Sequence, residues 1–193
     1  MVNKQNQRFG YGNKTIWSIE CEKILQSVRT ILTQDINSAD STDPSYPVLF
    51  EYNFGKNNTE SINLGGINLI GKIDRVDVSF NSENNYLQHI FILDYKGSNP
   101  HSKKEMIERI RNALDCQLLI YTFVIQKYFF NNFNKENLNN MMKIGYIPYN
   151  KNNSHKNKDF RKSVIALEEF PKLADEFIKT VEIYIEHMKN GNF

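Results

Sequence analysis

The chain has little cysteine: only Cys21 and Cys116 among 193 residues, with no spacing suited to a metal site. That usage fits a reduced, cytoplasmic protein rather than a disulfide-stapled one. No apolar run approaches the length of a membrane span, and the opening "MVNKQNQRFGYGNK" lacks the apolar core of a signal peptide. Internal repeats are absent. So is a G-x-x-x-x-G-K-[ST] loop, and without one the chain cannot itself drive ATP-powered unwinding. Charge of one sign is also lacking. Lys and Arg number 24 against 22 Asp and Glu, a net +2 that neither excludes nor advertises a nucleic-acid partner.

What is present suits one globular domain. The hydrophobic fraction of 40% over this length is enough to bury a core. Residues 1–14 are polar and expected to be flexible, leaving 15–193 as a single domain. "TIWSIECEKILQSVRTILTQDI" spaces its apolar residues for a helix. "VLFEYNF" reads as a strand, 62–80 as a longer strand region, and "YLQHIFILDYKG" as another after the turn "NSENN". A helix is expected near 103–130, strands at "MMKIGYIPY" and within "RKSVIALEEF", and a last helix from Pro171 with Leu173, Phe177, Val181 and Tyr184 along one side. The Asn-rich stretches, "FFNNFNKENLNN" among them, read as polar loops. The order predicts an α/β fold, a mixed sheet flanked by helices.

Two strands carry charge where strands are usually apolar. In "LIGKIDRVDV" Asp74 shares a face with Ile70, Lys72 and Val76; in "ILDYKG" Asp94 shares one with Lys96 while Tyr95 points away. The run from Ile90 to Leu93 is apolar on both faces, so this strand is central and its charges lie where it leaves the core. A hairpin about "NSENN" brings Asp74 near Asp94. Two such carboxylates oppose each other's ionisation unless a cation lies between them, and Mg²⁺ takes such an oxygen site. Lys96 beside that ion supplies the positive charge that phosphodiester hydrolysis needs. Glu51, in the middle of "VLFEYNF", is a third carboxylate. Gln117 and Tyr121, four apart on one helix face, complete the set. Against this stands the plain alternative: Asp74–Arg75 as a surface ion pair, D-x-K as chance, and Gln117 at the margin of a core helix.

"GKIDRVD", "ILDYKG" and "QLLIY", in that order, resemble the signature of the PD-(D/E)XK nuclease superfamily, and its RecB-type branch above all. That branch includes nuclease domains of helicase–nucleases and of CRISPR spacer acquisition. The resemblance implies a restriction-endonuclease-like sheet. It also implies Asp74, Asp94 and the Tyr95 carbonyl as metal ligands, with Glu51 near them. Lys96 becomes the active-site lysine and Gln117 and Tyr121 the Q-x-x-x-Y pair. The activity implied is a Mg²⁺- or Mn²⁺-dependent DNase, an exonuclease of DNA repair or recombination. DNA is the implied partner, beside a helicase or motor domain, and a piece of a larger helicase–nuclease is favoured over a free-standing relative.

The chain departs from the branch in two ways. None of His89, His101, His155 or His187 lies in the first helix, where the branch often has a ligand, which leaves Glu20 or Glu22 as substitutes. The four cysteines of an iron–sulfur cluster are missing, so no cluster is expected. The runner-up function is a non-catalytic DNA-binding or interaction module on the same fold. For DNA contact the residues singled out are Lys103, Lys104, Arg109, Arg111 and the basic run 151–162.

Overall fold

The computed structural model describes residues 14–39, 44–56, 61–96, 102–132, 135–148, 165–166 and 170–191. The expected flexible N-terminus and the basic run 151–162 lie outside them. The chain runs α1 (Lys14–Ala39), β1 (Ser45–Phe54), β2 (Ile62–Leu64), β3 (Ile67–Leu69), β4 (Gly71–Phe80) and β5 (Leu87–Lys96). It continues through α2 (Lys103–Arg111), α3 (Gln117–Phe129), α4 (Lys135–Met141), β6 (Met142–Pro148), β7 (Ile165–Ala166) and α5 (Phe170–Lys189).

One five-stranded sheet, ordered β1-β4-β5-β6-β7, forms the frame. β5 pairs antiparallel with β4 and parallel with β6, so the sheet is mixed as its pattern predicts. Ile90, Phe91, Ile92 and Leu93 are all at most 2% exposed, which makes β5 the covered central strand. One face packs against α2, α3 and α5 through Ile73, Val76, Ile90, Ile92, Leu118 and Phe177. The other carries a smaller cluster of Phe91, Leu93 and Ile147, with Ile31 of α1 against it.

The turn at 81–85 forms as expected. Asn81 Oδ1 accepts from the backbone N–H of Glu83 and Asn84, and Asn85 adopts φ 57°. Such Asx geometry reverses the chain without a glycine.

Four expectations need correction. The strand region 62–80 is broken into β2, β3 and β4, because Gly65 and Gly66, at φ 57° and 84°, close a two-residue hairpin. The helix near 103–130 is two helices: Asn112 caps α2, and Ala113 at φ 52° turns the chain before α3. Leu114, which helical spacing groups with Leu118 and Ile125, lies instead in the connection between the two helices and is exposed. The Asn-rich stretch contains α4, whose Leu138 is 1% exposed; one buried leucine anchors a helix that composition reads as loop. On α5, Leu173 and Phe177 are buried, but Ile185 rather than Tyr184 continues the stripe.

Candidate active site

The sheet forks at one point. β4 and β5 are paired from Phe80↔Leu87 to Arg75↔Leu93. Beyond Arg75 β4 stays with β1 as far as Gly71, while β5 stays with β6 as far as Lys96. Asp74 and Asp94 are the next opposed residues, one on each branch. In place of a ladder bond, Asp74 Oδ2 accepts the backbone N–H of Tyr95 across the gap at 3.2 Å.

The row of residues extends both ways. Phe50↔Arg75 and Tyr52↔Ile73 place Glu51 between them, opposite Asp74. Asp94 is in turn opposite Tyr146 of β6. Glu51, Asp74, Asp94 and Tyr146 therefore cross four adjacent strands in one line. At Glu51 the backbone adopts φ 52°, a left-handed conformation that costs a non-glycine residue on the order of 1–3 kcal/mol.

Asp94 is buried, and burial pushes its carboxyl above the ordinary range; Lys96 opposes that shift and the charge of nearby Asp74 adds to it. Lys96 Nζ lies 2.7 Å from Asp94 Oδ2 and 5.1 Å from the centre of the Tyr146 ring. Glu51 does not close onto the aspartates. It is exposed, and its carboxylate pairs with Lys72, whose pKa the Glu51 bond raises.

From the helical side, Gln117 is the first residue of α3, and its Nε2 donates to the Tyr121 hydroxyl at 2.6 Å. Burial pushes the Tyr121 phenol up, Gln117 opposes this, and the charges of Asp74, Asp94 and Glu51 raise it further. Tyr121 thus senses all three carboxylates. Its ring meets Phe54 edge-on at 6.2 Å, and Phe54 in turn covers Gly71, where a Cβ would come within 2.6 Å of the Phe54 ring. Gly71 has no side chain so that this support fits.

The sequence-predicted residues Asp74, Asp94, Lys96, Gln117 and Tyr121 therefore face one locality. Tyr95 points to the opposite sheet face, where its hydroxyl accepts from Arg75 at 3.4 Å, while its backbone N–H serves Asp74. The reading of Asp74–Arg75 as a surface pair fails. Arg75 is 1% exposed and grips Asp77 at 2.6 Å and Asp35 of α1 at 2.7 Å. Glu20 and Glu22 do not reach the site: each bonds within α1, to Lys23 and Gln26, and α1 packs on the opposite face. Of the basic residues, Arg111 pairs with Glu176, Arg109 donates to the Leu114 carbonyl, and Lys103 and Lys104 are exposed.

Two residues escaped the sequence reading. Tyr146 lies beside Asp94, and its hydroxyl donates to Asp115 Oδ2. Nothing in "KIGYIP" marks the tyrosine, because only the parallel register of β5 and β6 brings it there. Among the described residues no three His, Cys, Asp or Glu side chains gather closely enough to hold a metal ion by themselves. The donors that do converge are oxygen-only and anionic. That suits a hard divalent cation completing its shell with water or phosphate oxygens.

The model of the PD-(D/E)XK nuclease superfamily matches residues 6–193, and the chain belongs to that superfamily. It is also 30% identical over 122 residues to a subunit of the ATP-dependent helicase/deoxyribonuclease of Thermoanaerobacter sp. (strain X514). The same identity and span hold for the corresponding helicase/deoxyribonuclease subunit of Thermoanaerobacter pseudethanolicus (strain ATCC 33223 / 39E). These matches cover 62% of this chain and 10% of each relative, so the chain corresponds to a small part of those subunits. They agree with the RecB-type branch. No solved structure matches the chain significantly.

Proposed function

We propose that the chain is a divalent-metal-dependent deoxyribonuclease whose hydrolytic centre is the fork between Asp74 and Asp94. The observation that carries this reading is the pairing of the two carboxylates across the open end of a sheet, with Lys96 Nζ 2.7 Å from Asp94. Asp74 and Asp94 would hold Mg²⁺ or Mn²⁺, with the Tyr95 carbonyl as a third oxygen and Glu51 in reserve if it leaves Lys72. The bound ion supplies a more acidic water and neutralises phosphoryl charge. Lys96 contributes its positive charge at a scissile phosphate. Gln117 and Tyr121 hold the rim of the site, the amide orienting the phenol toward the carboxylates.

DNA as substrate is supported by the family and by the name that the two relatives carry, helicase/deoxyribonuclease. That name also supports a motor as working partner. Exonucleolytic action on a strand fed to the site, in repair or recombination, is our reading of the RecB-type resemblance. The low cysteine content agrees with a cytoplasmic setting. The test is cleavage of end-labelled linear DNA against covalently closed circular DNA, with Mg²⁺, Mn²⁺ or chelator. Metal-dependent loss of the linear form alone supports an exonuclease. Cutting of the circle would make it an endonuclease, and no metal-dependent cleavage of either would favour the non-catalytic binding module.

A further inference from the structure

We propose that Tyr146, braced by Asp115, is a positioning residue that holds the Lys96 ammonium over the reaction centre, an inference that rests on the nuclease reading above. A lysine at the end of a strand has four rotatable bonds, and an attraction to Asp94 alone leaves its direction undetermined. The structure supplies a second attraction. The β5–β6 register sets Asp94 opposite Tyr146 and Lys96 opposite Pro148, so Tyr146 lies two residues behind the lysine on the neighbouring strand. The Lys96 Nζ stands 5.1 Å from the ring centre while 2.7 Å from Asp94 Oδ2. A cation over an aromatic face at that range is attracted by the ring quadrupole.

The platform is itself fixed. Tyr146 is 2% exposed, and its hydroxyl donates to Asp115 in the short connection between α2 and α3. Asp115 directly precedes Cys116 and Gln117. The loop that starts the Gln117–Tyr121 helix therefore also locks the ring under Lys96. Both sides of the site are set by one connection.

The test compares the parent with Tyr146→Phe, Tyr146→Leu and Lys96→Ala on labelled linear DNA with Mn²⁺. It also reads the Lys96 ε-methylene proton shifts in metal-free protein, assigned with Lys96→Arg. Expected is an upfield ring-current shift of those protons in the parent, kept in Tyr146→Phe and lost in Tyr146→Leu. Turnover should follow: kcat of Tyr146→Leu falls about tenfold with KM unchanged, while Tyr146→Phe stays within about threefold of the parent. Unshielded Lys96 protons in the parent overturn the proposal. So does a kcat of Tyr146→Leu equal to the parent's, or a Tyr146→Phe that keeps the upfield shift and is yet as impaired as Tyr146→Leu. If the leucine variant does not fold, the parent's shift and the phenylalanine variant decide. A parent with no Mn²⁺-dependent turnover would instead sink the nuclease reading, and the shift would still report whether the ring holds the lysine.

Discussion

Asp74 and Asp94 face each other where β4 and β5 part, and a backbone N–H of one branch is bound by the carboxylate of the other. The site is thus built from the sheet itself rather than from loops. Pairing over Arg75–Phe80 fixes the two branches on one side, and beyond it they part. Rigid elements hold such groups more accurately than loops do.

That arrangement has a cost visible without metal. Folding raises the pKa of Asp94, so the folded state binds the proton more tightly than the unfolded chain does. The contribution of Asp94 to metal-free stability is therefore greatest below the ordinary carboxylate range and is lost as pH rises through the raised value. Asp94→Asn should flatten this fall and raise the metal-free melting temperature at neutral pH by about 2–4 °C. A variant that melts at or below the parent there would show that Asp94 is no burden on the apo fold.

Lys96→Ala should lower turnover at least about a hundredfold while leaving the fold intact and Mn²⁺ affinity close to the parent's; the metal-free melting temperature falls, because buried Asp94 loses its counter-charge. The Lys96 side chain is 36% exposed and lies at the end of β5, so little apolar packing goes with it. Turnover within tenfold of the parent would remove Lys96 from the mechanism.

Arg75→Ala should act on stability alone. It strips the partner from Asp77, which is 0% exposed, and releases Asp35 and hence α1. Breaking a buried pair from one side costs about 3–5 kcal/mol. Urea denaturation measures this; a loss below about 1 kcal/mol would mean that water reaches Asp77.

The site was legible in the sequence to the extent that its parts obey short periods. Asp94 and Lys96 share a face by the two-residue period, Gln117 and Tyr121 by the helical one, and the turn at 81–85 brings Asp74 to Asp94. Contacts across register were not legible. Tyr146 reaches Asp94 through a parallel pairing that spans three helices, and Asp35 reaches Arg75 from forty residues away. The alternative of an Asp74–Arg75 pair fails on the strand period itself: Arg75 shares a face with its partner Asp77, while the pleat turns Asp74 to the other side. The elements misplaced from sequence turned on small local signals, such as Ala113 in a left-handed conformation and a single buried Leu138 in α4.

Everything proposed for the fork depends on its holding a divalent ion. Titration of Mn²⁺ followed by electron paramagnetic resonance, on the parent, Asp74→Asn and Asp94→Asn, reads this without reference to turnover. The expected result is saturable binding by the parent that is weakened at least about tenfold in each variant, since each removes one of the two facing carboxylates. Binding of equal strength in all three proteins would contradict the metal centre proposed here.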